Sequence, residues 1–222
     1  MADSPSPIAL LIFDLDGTLI DSRGDITASV NYALERLQLP PLSVEKITAF
    51  VGRGVSNLIR SVLGENHREL FKKAITLFRK HYSEHLLDKT MLYPDVQTLL
   101  ESLNGILKAV ITNKPVDYSS RILKGLKVHH YFAEIMGGDT GNPKKPSPDA
   151  LLKLMQKFHV RPDQTMIVGD STIDIEAGKN ACVRTCAVSY GFGIKEDLIQ
   201  AKPDYLLDRL IDLRSVVYPV SH

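Results

Sequence analysis

Ile8-Ala-Leu-Leu-Ile-Phe-Asp14-Leu-Asp16-Gly17-Thr18-Leu-Ile-Asp21-Ser22 is the stretch on which the reading of this chain turns. A short apolar run, rich in β-branched and aromatic residues, stops at two carboxylates two residues apart and continues into Gly-Thr. The run is too compact for a typical helix and predicts a buried strand. In an open α/β sheet, chemistry collects just beyond the carboxyl ends of strands. Asp14 and Asp16 stand at such an end. Acids this close repel each other unless a cation or a shared proton relieves them. An acidic turn after a strand would explain one Asp and the glycine, but not three further motifs placed later in the chain.

Leu107-Lys-Ala-Val-Ile111 is a second apolar run, ending in Thr112-Asn113-Lys114-Pro115. Thr165-Met-Ile-Val168 is a third, ending in Gly169-Asp170-Ser171-Thr172-Ile173-Asp174. Between them, Pro143-Lys-Lys-Pro-Ser-Pro148 brings a lysine pair into a proline-rich turn before a helix. In that order, an acid pair, a hydroxyl plus an amide, a lysine and a second acid pair resemble the haloacid dehalogenase superfamily. Within it the chain is similar to phosphatases of the phosphoglycolate phosphatase group. The likeness extends through Tyr190-Gly-Phe-Gly193 and Lys202-Pro-Asp-Tyr205.

Composition narrows the alternatives. At 222 residues the chain suits one core domain with a sizeable insertion. With 27 basic and 26 acidic residues it offers no electrostatic case for nucleic acid or an anionic membrane. No apolar run approaches the eighteen or so residues of a membrane span. Met1-Ala-Asp-Ser-Pro-Ser-Pro7 lacks the basic region of a signal peptide and reads as a frayed tail. Cys182 and Cys186 are expected as buried, reduced thiols in a cytoplasmic protein.

After Asp16 the strand pattern gives way to amphipathic helices. Ile26, Val30, Ala33, Leu34 and Leu37 share a face, as do Val55, Leu58, Ile59, Val62 and Leu63. A longer helix carries Leu70, Phe71, Ala74, Leu77, Phe78 and Tyr82, with Leu39-Pro-Pro-Leu42 and Asn66 as punctuation. Helices and strands then alternate. Pro115 opens one helix, Ser147 and Pro148 begin another, and a third is expected over Asp174–Asn180 before a strand over Arg184–Val188. This predicts an α/β fold: a mostly parallel, doubly wound (Rossmann-like) core sheet with an inserted α-helical cap. The expected division is a core of residues 1–21 and 90–222 and a cap of residues 22–89, which in the resembled family closes over the active site.

A phosphate ester resists anionic nucleophiles because its oxygens are negative; Mg²⁺ on hard oxygen ligands offsets that charge. The resemblance implies that Asp14 is both nucleophile and metal ligand, forming an aspartyl-phosphate. It makes Asp16 the general acid/base, with the Asp16 backbone carbonyl as a metal ligand, and Asp170 a further ligand. An acid at position 16 argues against halide displacement, which has no alkoxide to protonate. Thr112 and Asn113 are candidates to offer a hydroxyl and an amide to phosphate oxygens. Lys145 is preferred over Lys144 as the phosphate-binding lysine, because successive residues of an extended segment point in opposite directions. The resemblance implies that Asp174 supports the metal site and the lysine, while its position alone would also suit a helix N-cap; Ser171 is an expected outer partner.

Arg53, between Gly52 and Gly54 in the insertion, is a candidate for binding an anionic substrate tail, or else an exposed loop arginine. Because an arginine forms no imine, it also argues against phosphonate cleavage if this is the position of the family's imine-forming lysine. His81 and His85 are one turn apart without a third ligand and read as helix surface. Gly137-Gly138-Asp139-Thr140-Gly141 is expected to give slack to the lysine-bearing turn.

The leading expectation is a Mg²⁺-dependent phosphatase acting on a small anionic phosphate ester, 2-phosphoglycolate being favoured, as a monomer or homodimer. A phosphosugar mutase, a pyrophosphatase and a non-catalytic phosphate-binding protein remain as alternatives.

Overall fold

Leu10–Phe13 forms a strand, β1, in which no side chain reaches solvent. Burial on both faces explains an apolar run without alternation. The computed structural model describes residues 6–218. Residues 1–5 of the segment read as a frayed tail lie outside the described residues. Ser6, at its end, is held: its hydroxyl donates to Asp163 (2.7 Å) and its carbonyl accepts from Arg184 (2.6 Å).

A tight turn after β1 leads to the two-residue β2 (Ile20–Asp21). Four helices follow: α1 (Arg23–Arg36), α2 (Val44–Thr48), α3 (Val55–Leu63) and α4 (Phe71–Glu84). The amphipathic faces read from the sequence bury Ile26, Val30, Leu58, Ile59, Phe78 and Tyr82. Two details differ. Asn66 and Leu70 belong to a 3₁₀ segment, Glu65–Leu70, ahead of α4, and α2 is an extra helix started by the Ser43 hydroxyl, which accepts from the Lys46 amide.

The chain returns through β3 (Met91–Leu92), antiparallel to β2, so that the outgoing and returning crossings run side by side. It continues through α5 (Val96–Ser102), β4 (Leu107–Ile111), α6 (Val116–Gly125), β5 (Glu134–Met136) and α7 (Asp149–Phe158). The final run is β6 (Thr165–Gly169), α8 (Thr172–Asn180), β7 (Arg184–Val188), α9 (Lys195–Gln200), β8 (Tyr205–Leu207) and α10 (Leu213–Val217). Helix α8 thus begins two residues before the expected Asp174. Cys182, in the turn after α8, is exposed rather than buried; Cys186 is buried, and both are free thiols.

Six strands form one parallel sheet in the order β5-β4-β1-β6-β7-β8. Leu11 and Phe13 face the core shared with the inserted helices, while Leu10 and Ile12 face α7, as a period of two requires. The register sets Phe13 between Val110 and Val168, so β1, β4 and β6 end together. No helix among the described residues is long and apolar enough to cross a membrane.

Asp25 ties the insertion to its return crossing. Its carboxylate, 1% exposed, accepts from the amides of Lys89 and Thr90 and from the Thr90 hydroxyl, at 2.7–3.0 Å. Asp25→Ala leaves those buried donors without an acceptor and should cost roughly 2–4 kcal/mol of unfolding free energy in a urea titration. A loss under about 0.5 kcal/mol would contradict this anchoring role.

Candidate active site

The shared ends of β1, β4 and β6 deliver Asp14, Thr112-Asn113-Lys114 and Asp170 to one place. Asp14 is 8% exposed, and Lys145 Nζ lies 2.7 Å from its Oδ1. The same ammonium is 2.6 Å from Asp174 Oδ1. Carboxylate oxygens of Asp14, Asp170 and Asp174 come within 4.8 Å of one another. Asp174 also accepts from the amide and hydroxyl of Ser171, at 3.1 and 2.6 Å. Ser171 is therefore the residue at the start of α8, and Asp174, in its first turn, reaches back to it rather than serving as N-cap itself.

Asp170 is braced by backbone. Its Oδ1 accepts from the Thr18 hydroxyl (3.0 Å), and its Oδ2 accepts from the amides of Phe192 (2.7 Å) and Gly193 (3.3 Å). Gly17 lies so close that a Cβ there would stand 2.2 Å from Asp170 Oδ2, and its φ of +89° is one that side-chain-bearing residues avoid. The Tyr190 hydroxyl donates to Thr18 O at 2.7 Å, joining the Tyr190–Gly193 loop to the turn after β1. Sequence reading noted this loop without a task; bracing Asp170 is its task.

The charges are strained. Burial, with Asp174 and Asp16 nearby, pushes the Asp14 carboxyl up to about 6 despite the opposing pull of Lys145. Burial and the neighbouring Asp14 and Asp174 push Asp170 up to about 8. For Lys145, burial alone would depress the ammonium, but Asp14 and Asp174 together outweigh it and hold it above the ordinary lysine range. An all-oxygen, multiply anionic donor set under mutual repulsion fits a hard divalent cation, which would relieve that repulsion.

Asp16 points elsewhere. Its Oδ1 accepts from Ser22 Oγ at 2.5 Å and from Lys114 Nζ at 2.6 Å. Ser22 precedes α1 yet caps no helix amide with its side chain. Lys114, 6% exposed, was not singled out from the sequence. It lies within the Thr112–Pro115 motif, but its partner is 98 residues away and no local pattern announces the pairing.

Thr112 is buried, and its Oγ1 accepts from the Lys114 amide at 3.3 Å. Asn113 differs from expectation. Its amide group donates to Gly52 O (2.8 Å) and Lys145 O (3.1 Å), and its Oδ1 accepts from Lys145 N (3.0 Å). Both amide protons are engaged, so the side chain brackets Lys145 and ties the insertion to the core; it does not face outward as a donor. Lys144 is exposed and rests on Gly54, whose hypothetical Cβ would meet its Nζ at 2.5 Å. Gly137–Gly141 does not supply slack: a Cβ at Gly138 would stand 2.4 Å from Asn113 O, and Asp139 accepts from the Val116 amide that begins α6.

Arg53 is exposed and lines a cleft of about 500 Å³ together with Asp14, Asp16, Asp170 and Ser171. The cleft continues past Asp14 and Asp16 into a recess of about 40 Å³. His81 and His85 stack on each other, with ring centroids 4.2 Å apart, and hydrogen-bond to Ser29 and Asp88 at 2.9 and 2.7 Å; among the described residues they gather no metal-ligand set.

Comparison with known proteins gives this geometry a context. A family model described as haloacid dehalogenase-like hydrolase matches residues 11–188. A phosphoglycolate phosphatase of Aquifex aeolicus is 39% identical over 206 residues, covering 92% of this chain and 94% of that protein. One from Vibrio parahaemolyticus is 36% identical over 219 residues, covering 95% and 96%. Among solved structures, a predicted phosphoglycolate phosphatase from Haemophilus somnus superposes with a TM-score of 0.92 at 32% identity, covering 97% of this chain and all of that one. A predicted phosphatase from Clostridium acetobutylicum gives 0.83 at 28%, covering 96% and 99%.

Asp14 and Asp170 ionise, when folded, above the aspartate value of 3.8 that applies to the unfolded chain. The folded protein therefore holds extra protons between about pH 4 and 8. The stability this confers is complete below about pH 4 and is lost as pH rises through about 6 and about 8. In chelator, the unfolding free energy lost between pH 5 and 8 should be larger for wild type than for Asp170→Asn. An equal loss in both proteins would contradict the carboxylate repulsion described.

Proposed function

The chain belongs to the haloacid dehalogenase-like hydrolase family and is a phosphatase, and from that premise we propose that it hydrolyses a small phosphomonoester, 2-phosphoglycolate, with Mg²⁺ and through an aspartyl-phosphate on Asp14. One observation carries this reading: acids two residues apart occupy opposite environments. Asp14 stands in the carboxylate cluster with Lys145, and Asp16 stands outside it with Lys114 and Ser22. Two carboxyls in contrasting surroundings suit two roles. The names of the relatives support the choice of ester.

Asp14, Asp170 and the Asp16 backbone carbonyl would hold the cation. The hydrogen bonds of the turn after β1 use the carbonyls of Leu15 and Ile20 and leave that of Asp16 without a donor. When bound, the ion offsets phosphoryl charge and orients the group for in-line attack. The Thr112 hydroxyl and the Lys145 ammonium are donors for phosphoryl oxygens. So are the main-chain N–H groups of Leu15 and Asn113, which donate to no protein acceptor among the described residues.

An Asp14 oxygen attacks phosphorus while the bond to the leaving oxygen breaks, and Asp16 gives that oxygen its proton. Asp16, again anionic, then removes a proton from water as the water attacks phosphorus. The Asp14–phosphorus bond breaks, inorganic phosphate leaves and the Asp14 carboxylate is restored. Residues 22–89 serve as the cap over residues 1–21 and 90–222, hinged at the paired crossings of β2 and β3. Arg53 is exposed at the mouth of the cleft, where it faces the phosphate group that all such esters share.

In a panel of phosphate esters with Mg²⁺, 2-phosphoglycolate should show the highest kcat/KM; a hexose phosphate or pyrophosphate ranking above it would refute the substrate assignment. Asp14→Asn should lower turnover on the order of 10⁴-fold with an unchanged circular dichroism spectrum. Retention of a tenth of wild-type activity would exclude Asp14 as nucleophile.

A further inference from the structure

The recess beyond Asp16 lies between core and insertion. Ile26, Val51, Val55, Leu58 and Phe78 make its apolar wall. Lys114 is the one cation among the residues lining it, and Tyr82 lines it from α4. Both are buried, at 6% and 1% exposure.

Their donors are incompletely used. Of the three N–H groups of Lys114, one meets Asp16; the ammonium also lies beside the Tyr82 hydroxyl oxygen, which leaves at least one N–H free for a ligand. The Tyr82 O–H finds no acceptor among the described residues. It cannot easily turn toward another partner, because its ring is stacked on Phe78 at 5.3 Å and held edge-on by Tyr118 at 5.4 Å. Lys114 Nζ lies 5.0 Å from the centre of that ring. A buried donor left unmet is costly, so two side chains with unmet donors around one small recess call for an acceptor.

We infer that Lys114 and Tyr82 seat the carboxylate of the substrate's leaving group, and so select a short, anionic alcohol. A carboxylate offers two acceptor oxygens on one small planar group. The recess, about 40 Å³ against about 500 Å³ for the outer cleft, favours a short substituent. Its position beside Asp16 is where a leaving oxygen protonated by Asp16 would carry its substituent. Arg53, exposed at the mouth, is too open to solvent to discriminate as a buried ammonium can.

The inference rests on the phosphatase reading above, and the test separates the two. Steady-state kinetics would compare 2-phosphoglycolate with ethyl phosphate, which has a leaving group of similar length and no carboxylate. Wild type should prefer 2-phosphoglycolate. Tyr82→Phe, which deletes one oxygen and keeps the ring packing, should reduce the ratio of kcat/KM for the two esters about tenfold or more, with no loss in melting temperature. Lys114→Met should reduce that ratio further and slow both esters, since it also deprives Asp16 of its partner. Arg53→Ala should leave the ratio within about twofold. An unchanged ratio in both Tyr82→Phe and Lys114→Met, or a loss of selectivity in Arg53→Ala alone, would overturn the inference while leaving the phosphatase reading intact. If wild type turns over neither ester, the assignment of 2-phosphoglycolate falls and the inference falls with it.

Discussion

One buried ammonium organises this molecule. Lys145, 6% exposed, stands between Asp14 and Asp174, with Asp170 alongside them. Taking these charges out of water is unfavourable unless each meets an opposite charge or a donor. The surrounding structure meets that requirement group by group. Asn113 fixes the backbone of Lys145 on both its N–H and its carbonyl. Ser171 donates twice to Asp174, while Thr18, Phe192 and Gly193 satisfy Asp170. Residues that look like loop filler are thus held by carboxylate oxygens that would otherwise be unmatched.

The turn after β1 explains how one strand end serves two purposes, because alternation continued past Phe13 would have set Asp14 and Asp16 on one face. Asp14 and Asp16 are separated by a single residue, yet one enters the cluster and the other turns toward Lys114. Lys114 also carries the site beyond the core, because the wall around it is built by the inserted helices. Asn113 does the same from the neighbouring position through the carbonyl of Gly52. Core and insertion therefore meet through consecutive residues at the end of β4.

What was legible in the sequence follows from burial. β1, β4, β6 and β7 are covered strands, so they appear as short apolar runs, and the acids and Thr-Asn at their ends could be read as a site. That the two lysines diverge was readable too, because neighbours in an extended turn point apart; Lys145 is buried among the acids and Lys144 is exposed. The two-residue β2 and β3 are too short to have a period. Asn113 looked like an outward donor because nothing local shows that Gly52 and Lys145 claim both its amide protons. Nothing local in the sequence assigns a task to Lys114 or to the Tyr190–Gly193 loop, since their partners lie far away in sequence.

The central claim is that Asp14 carries the phosphoryl group during turnover. Quenching the enzyme mid-turnover with borohydride reduces an aspartyl-phosphate to homoserine, and peptide mass spectrometry then locates the modified residue. The account predicts homoserine at position 14, only when substrate and Mg²⁺ are both present. Steady phosphate release with position 14 unmodified, or homoserine at Asp16 or Asp170 instead, would contradict it.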